Sequence, residues 1–141
     1  MSDFVLDASI ALAWAVDHPE PASAREIRLS FLRGQLAIVP SLWILEIANG
    51  LVQAERRRKL SFAEVERARD LYESMMSSYI EVQTDSLQFG FREIQEIARR
   101  HQLTAYDASY LFLASQHRLP LATLDASLIS AANKSGVAVL P

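Results

Sequence analysis

The sequence contains no cysteine among its 141 residues. This absence excludes disulfide bonds, zinc–thiolate centres, iron–sulfur clusters and thiol nucleophiles. It also fits a reducing compartment, so we expect the protein to be cytoplasmic. Glycine and proline are scarce, with 4 and 5 residues, and long flexible linkers are therefore not expected.

Long apolar stretches and a strong charge of either sign are missing as well. The longest apolar run, residues 10–16, is far shorter than the ~20 residues that cross a bilayer. The first residues, MSDFVLD, have no basic segment and predict no signal peptide. The net charge of −3 argues mildly against a protein that only binds nucleic acid, because such binding depends on phosphate contacts. An enzyme that holds cations in an acidic cleft is affected less by this objection.

Half of the residues are hydrophobic, which is enough for one well-filled core, and the length predicts a single domain over residues 1–141. Short apolar segments alternate with helical ones, and this order predicts an α/β fold with a mainly parallel sheet. Strands are expected at residues 4–6, 36–39, 79–82, 120–123 and 137–139. Helices are expected at residues 8–16, 22–33, 41–59, 61 onward, 86–101, 104–117 and 125–134.

Four acidic residues stand near the predicted strand ends. Asp7 ends the first strand and Asp125 follows the fourth. Glu46 lies about one and a half turns into the helix after the second strand, and Asp107 lies in the first turn of its own helix. Open α/β sheets bind ligands at the carboxyl ends of their strands, so we expect these side chains to face one edge of the sheet.

Carboxylates that converge in this way repel one another unless a cation lies between them. Oxygen ligands suit hard ions such as Mg²⁺ and Mn²⁺, and four acids are enough for one ion or for two. Such an ion turns water into a usable nucleophile near neutral pH and offsets charge that develops on a phosphate. This chemistry needs no histidine, serine or cysteine nucleophile, and the chain offers no convincing one.

Three of these acids also have a purely structural explanation. Asp7 and Asp125 stand where helices begin, and aspartate is a preferred N-cap. Thr104 and Asp107 have the spacing of a capping box, with Asp in place of the usual Glu or Gln. Taken alone, each of these residues is explained equally well as a cap or as part of a site.

Glu46 is different because it interrupts a strongly apolar helical segment, residues 42–48. It has no position at which it could act as a cap. Asn49 and Gln53 follow it at i+3 and i+7, so a solvated stripe of an amphipathic helix is the alternative. The neighbouring Trp and Leu residues argue against full solvation of Glu46.

The tripeptide Asp-Ala-Ser occurs three times, beginning at residues 7, 107 and 125. Helix starts alone explain such a repeat, but small residues also let a helix begin close to a metal ion. We expect Ser9 to orient a carboxylate or a water, and the serines of the other two tripeptides to be ordinary helix residues. Trp14, Trp43 and Tyr110 are expected in the core or at an interface, and both tryptophans are candidates for contact with a partner.

Four segments carry a resemblance to a known family. They are VLDAS at residues 5–9, PSLWILEIAN at 40–49, TAYDASY at 104–110 and LATLDASL at 121–128. In order and spacing they resemble the four motifs of PIN-domain nucleases, and most closely the VapC-type toxins of prokaryotic toxin–antitoxin pairs. The segment at residues 131–137 is similar to that family as well.

The resemblance implies a three-layer α/β/α sandwich with a five-stranded parallel sheet. It also implies endoribonuclease activity that depends on Mg²⁺ or Mn²⁺, with Asp7, Glu46 and Asp107 as the main ligands. Asp125 would complete the cluster, supported by Thr123. The implied partners are an RNA substrate, a cognate antitoxin and a second copy of the chain.

Two other functions deserve comparison with this one. A phosphoacceptor signalling domain would need adjacent acids after the first strand, an Asp after the third and a Lys after the fifth. Asp7 is followed by Ala8, and nothing basic follows Val139, so this alternative fails. A non-catalytic PIN-like domain that binds RNA or protein stays open, because an intact acidic cluster does not prove turnover.

Overall fold

The computed structural model describes residues 3–84 and 86–140. Its strands are β1 (Phe4–Leu6), β2 (Ala37–Pro40), β3 (Ile80–Gln83), β4 (Leu121–Ala122) and β5 (Val139–Leu140). Its helices are α1 (Ala8–Val16), α2 (Ala22–Ser30), α3 (Leu42–Arg56), α4 (Phe62–Ser78), α5 (Ser86–Phe89), α6 (Phe91–His101), α7 (Ala105–His117) and α8 (Ala126–Lys134). A 3₁₀ turn, Phe31–Arg33, extends α2.

The five strands form one parallel sheet in the order β3-β2-β1-β4-β5. Helices cover it in a three-layer α/β/α arrangement, as the sequence predicts. All three residues of β1 are fully buried, because this central strand has a strand on each side and helices above and below it. The short apolar strands therefore lie where their composition indicated.

The chain reverses its direction of winding beside β1. It moves outward from β1 through β2 to β3, and then returns to place β4 against the other side of β1. Parallel α/β sheets bind ligands at such a point, in the crevice beyond the carboxyl ends of the strands. The segments that follow β1 and β4, which begin with Asp7 and Thr123, therefore meet at this crevice.

The helix predicted over residues 86–101 is wrong in one respect, because it is broken into α5 and α6. Gly90 stands between them with φ −97° and ψ 10° and begins α6. Glycine is unfavourable inside a helix because it loses the most backbone freedom there, so the break falls at this residue.

Other expectations about helix ends and surfaces need smaller corrections. Helix α3 ends at Arg56 rather than near Lys59, and Ser41 makes no side-chain cap to it. Trp43 is fully buried against Tyr72, so the predicted partner contact by this tryptophan is wrong. No helix within the described ranges combines the length and the apolar character needed to cross a membrane.

Candidate metal centre

Asp7 is the most buried of the four acids, with 4% of its surface exposed. It occupies the N-cap position of α1, but its side chain caps no backbone N–H of that helix. Its Oδ2 instead accepts hydrogen bonds from Ser9 Oγ at 2.6 Å and from Thr123 Oγ1 at 2.7 Å. The capping explanation therefore fails for Asp7, and two hydroxyl groups hold its carboxylate in place.

The same two hydroxyl groups connect the ends of β1 and β4. Ser9 Oγ accepts a hydrogen bond from the backbone N–H of Leu124 at 3.0 Å and lies 3.4 Å from Thr123 Oγ1. Thr123 Oγ1 also accepts the N–H of Asp125 at 3.0 Å. The structure therefore brings Ser9 and Thr123 to Asp7, where the sequence predicted supporting residues.

Asp125 does act as a helix cap. Its Oδ1 accepts the backbone N–H of Leu128 at 2.8 Å and so satisfies one of the unpaired donors at the start of α8. This bond fixes the position of the carboxylate beside Thr123 and Asp7. A structural role and a place in the acidic cluster therefore coexist in this residue.

Asp107 lies in the first turn of α7, where the cap is Thr104. The hydroxyl of Thr104 accepts a hydrogen bond from the backbone N–H of Asp107 at 3.1 Å. This is the first of the two hydrogen bonds of the predicted capping box. The Asp107 side chain is half-buried. Helix α7 packs against β1, β2 and β4, the strands around the crevice.

Glu46 comes from α3, the helix that follows β2. Its side chain is half-buried, and its Oε1 accepts a hydrogen bond from the hydroxyl of Tyr110 at 2.5 Å. The alternative prediction, in which Glu46 belongs to a solvated stripe of an amphipathic helix, is therefore wrong. The contact joins α3 to α7 and holds Glu46 toward the other acids.

Electrostatic effects show that the four acids form one cluster. Burial raises the pKa of Asp7, and the charge of Asp125 raises it further, against the hydrogen bonds from Ser9 and Thr123. Burial also raises the pKa of Glu46, and Asp7 and Asp107 add to this effect, against the hydrogen bond from Tyr110.

The pKa of Asp107 follows the same pattern. Burial raises it most, and the charges of Asp7 and Asp125 raise it further, against the hydrogen bond with Thr104. Each of these three pKa values is thus raised by other members of the cluster, although the four acids come from distant parts of the chain.

The cluster carries negative charge that no basic side chain offsets. In the part of the chain that the structure describes, none of the four carboxylates forms an ion pair with Arg, Lys or His. The ligand chemistry therefore fits a hard divalent cation, which would lower the mutual repulsion.

The same acids are not arranged as a closed set of direct ligands. Among residues 3–84 and 86–140, no group of three Asp, Glu, His or Cys side chains is placed to hold a metal ion. Mg²⁺ usually keeps several waters and takes only one or two protein carboxylates, so its binding does not require a closed set of protein ligands.

The residue that the sequence did not reveal as part of the site is Tyr110. Its ring is completely buried, as expected for the core, but its hydroxyl reaches Glu46. One signal was present in the sequence, because Tyr110 follows Asp107 by three positions and residues at i and i+3 share a helix face. A buried tyrosine also needs a partner for its hydroxyl.

Comparisons with known proteins support the fold and its family. The profile of the PIN domain matches residues 4–134. PAE2754 from Pyrobaculum aerophilum is 26% identical, with a TM-score of 0.71, and the match covers 98% of this chain and 89% of that chain. FitAcB from Neisseria gonorrhoeae is 19% identical, with a TM-score of 0.62, and the match covers 98% of this chain and 96% of that chain. At this identity the likeness is one of fold alone. No curated protein matches the chain.

Proposed function

Because this chain belongs to the PIN-domain family, we propose that it is a metal-dependent endoribonuclease and the toxin of a type II toxin–antitoxin pair. PIN domains are typically nucleases. The observation that carries the proposal is that acids from distant segments lie near one another: the pKa values of Asp7, Glu46 and Asp107 are raised first by burial and then by charges of other acids of the set. A cluster of this kind is costly without a cation and serves phosphate chemistry with one.

Asp7, Glu46 and Asp107 are the proposed main ligands of Mg²⁺ or Mn²⁺, and Asp125 completes the set. When bound, the ion supplies an activated water and offsets the charge that develops on the scissile phosphate. The residues of the chain provide the geometry for this chemistry. Ser9 and Thr123 fix the Asp7 carboxylate through their hydroxyl groups, and the capping bond to Leu128 fixes Asp125.

The proposed partners are an RNA substrate, a cognate antitoxin and a second copy of the chain. Exposed apolar side chains support contact with protein, because contiguous apolar surface on a soluble domain marks interaction sites. Phe91 and Tyr106 are 73% and 63% exposed and line an apolar cleft of about 400 Å³ between α6 and α7. These side chains support a protein partner at this surface, and the molar mass by light scattering of Phe91→Ser against the original protein tests whether that partner is a second copy.

The decisive test of the activity is RNA cleavage by purified protein with Mg²⁺ or Mn²⁺, repeated with EDTA. Asp107→Asn removes one charge from the cluster and should abolish cleavage. Asp70→Asn makes the same chemical change at a side chain that is 72% exposed on α4, and it should retain cleavage. Cleavage that persists in EDTA or in Asp107→Asn would refute the metal-dependent mechanism.

The alternative is a PIN-like domain that binds RNA or protein without cutting. The absence of a closed ligand set within the described ranges favours it as the second candidate. It predicts that the original protein forms no product from any RNA offered, while RNA binding survives in Asp7→Asn. The proposed nuclease predicts product formation that Asp7→Asn removes.

A further inference from the structure

Tyr110 and Glu46 form the only hydrogen bond between side chains of α3 and α7 in the described part of the chain. They are 64 positions apart in sequence, and the hydroxyl of Tyr110 donates to Oε1 of Glu46 at 2.5 Å. The contact therefore ties the end of the Glu46 side chain to helix α7.

The two partners differ in how firmly the fold holds them. Tyr110 has no exposed surface, and its helix packs against β1, β2 and β4. Glu46 is only half-buried, and its neighbour Leu45 is 69% exposed. The fully buried tyrosine therefore constrains the orientation of the less buried glutamate through this bond.

The bond uses only one of the two carboxylate oxygens. Oε2 of Glu46 accepts no hydrogen bond from residues 3–84 and 86–140, and it is not a buried unpaired atom. It is therefore accessible while Oε1 is engaged.

We infer that Tyr110 is a positioning residue that occupies Oε1 of Glu46 and reserves Oε2 for the divalent cation. The inference rests on the proposed function, since it assigns a metal-ligand role to Glu46. It makes Glu46 a ligand through one oxygen, pre-oriented before the ion arrives. Partners that orient metal ligands in this way typically contribute about 10- to 100-fold to metal affinity.

The test compares Tyr110→Phe with a matched control, Tyr72→Phe. Tyr72 is also buried, and its hydroxyl also donates one hydrogen bond at 2.5 Å, but to the backbone carbonyl of Ala11. Each variant loses one buried hydroxyl and nothing else. Thermal unfolding without metal measures the structural effect of each loss, and electron paramagnetic resonance of free Mn²⁺ measures the metal affinity.

We expect Tyr110→Phe to raise the Mn²⁺ dissociation constant about tenfold, and Tyr72→Phe to leave it unchanged. A purely structural role for Tyr110 would lower the melting temperature in both variants and change the affinity in neither. Equal Mn²⁺ affinities of Tyr110→Phe and the original protein would overturn the inference.

A double-mutant cycle with Glu46→Gln adds a second criterion. If Tyr110 acts on the ion through Glu46, Tyr110→Phe should have little further effect on Mn²⁺ affinity once Glu46 is changed. Additive losses from the two substitutions would show that Tyr110 acts elsewhere, and would overturn the inference.

The original protein provides a measurement that does not depend on a folded variant. The Tyr110 hydroxyl proton, held by a carboxylate, should give a downfield ¹H NMR signal that persists when Mg²⁺ is added. Loss of that signal on Mg²⁺ addition would mean that the ion takes Oε1, contrary to the inference.

Failure of the inference and failure of the proposed function give different results. If the original protein binds Mn²⁺ and cuts RNA while Tyr110→Phe binds Mn²⁺ equally well, only the positioning role is overturned. If the original protein neither binds Mn²⁺ nor cuts RNA, the proposed function and the positioning role are overturned together.

Discussion

Thr123 donates a hydrogen bond to Asp7 across 116 positions of sequence, at 2.7 Å and out of contact with solvent. The bond joins the residue that ends β1 to the residue that follows β4, on the two sides of the crevice where the sheet changes direction. Ser9 donates to the same oxygen, so Asp7 is held by one hydroxyl from each side.

The role of Ser9 in holding Asp7 can be tested by comparison with Ser127, the serine at the same place in another Asp-Ala-Ser tripeptide. Ser9→Ala removes a hydroxyl that contacts Asp7 and accepts the N–H of Leu124. We expect it to lower RNA cleavage about tenfold, because it removes one of the two hydroxyl groups that hold the Asp7 carboxylate. Ser127→Ala is the matched control, since Ser127 has the same place in its tripeptide but is exposed on α8. Equal activities of the two variants in a cleavage assay would contradict the assigned role.

The place of each aspartate in the site could be predicted because strand ends are visible in the sequence. Asp7 follows the buried run Phe4–Leu6, and Asp125 follows the short strand β4. Parallel strands present their carboxyl ends at one edge, so these two residues had to lie together once the α/β order was recognised.

The division between capping and site roles could not be predicted, because it depends on side-chain rotamers. Asp7 and Asp125 both occupy N-cap positions, yet only Asp125 makes a side-chain cap. The difference comes from the hydroxyl groups of Ser9 and Thr123, which draw the Asp7 carboxylate away from its helix. These contacts join residues that are distant in sequence, and no local pattern encodes them.

The break at Gly90 and the partner of Glu46 mark two other limits of the sequence. The apolar residues from Leu87 to Ala98 keep helical spacing through Gly90, so periodicity alone favoured one helix. The Tyr110 contact depends on how α3 and α7 cross, which the sequence of either helix does not specify. The single domain over residues 1–141 stays a prediction.

The two roles of Asp125 can be separated by two substitutions. Asparagine caps a helix about as well as aspartate does, whereas Asp125→Ala removes the acceptor for the N–H of Leu128. We expect Asp125→Ala to lose about 1 kcal/mol of unfolding free energy and Asp125→Asn to lose little. Both should cut RNA more slowly, because both remove the charge that the cluster uses. Urea unfolding measures the first effect and a cleavage assay the second, and full activity in Asp125→Asn would limit this residue to capping.

Asp7→Asn should make the metal-free protein more stable near neutral pH. Burial raises the pKa of Asp7 above its ordinary value of 3.8 in the folded state, so folding favours the protonated form. This contribution to the free energy of unfolding is complete below the ordinary pKa and is lost as the pH rises through the raised pKa. Above the raised pKa, the folded protein therefore carries an unfavourable buried charge. Asparagine keeps an oxygen that accepts from Ser9 and Thr123 and carries no charge. We expect a melting temperature roughly 3 °C higher at neutral pH in EDTA, corresponding to about 1 kcal/mol.

The control for this measurement is Asp70→Asn, which removes a charge from an exposed position on α4. Its melting temperature should match that of the original protein. The gain of Asp7→Asn should also shrink as the pH falls toward the ordinary pKa of aspartate, where the carboxyl group is protonated in both states. A lower melting temperature for Asp7→Asn at neutral pH would contradict the unfavourable burial of this charge.

Divalent cations should stabilise the protein in a way that depends on pH. An ion that binds only the folded state adds about 2.7 kcal/mol when its concentration is 100 times the dissociation constant. The pKa values of Asp7, Glu46 and Asp107 are raised, first by burial and then by the charges of neighbouring aspartates, so protons compete with the ion at a higher pH than for ordinary carboxylates. The gain in melting temperature from Mg²⁺ should therefore be large above neutral pH and small near the ordinary pKa values.

Differential scanning calorimetry at a series of pH values, with Asp107→Asn as the comparison, measures this gain. A gain that does not change with pH, or one that Asp107→Asn retains in full, would place the bound ion away from these acids.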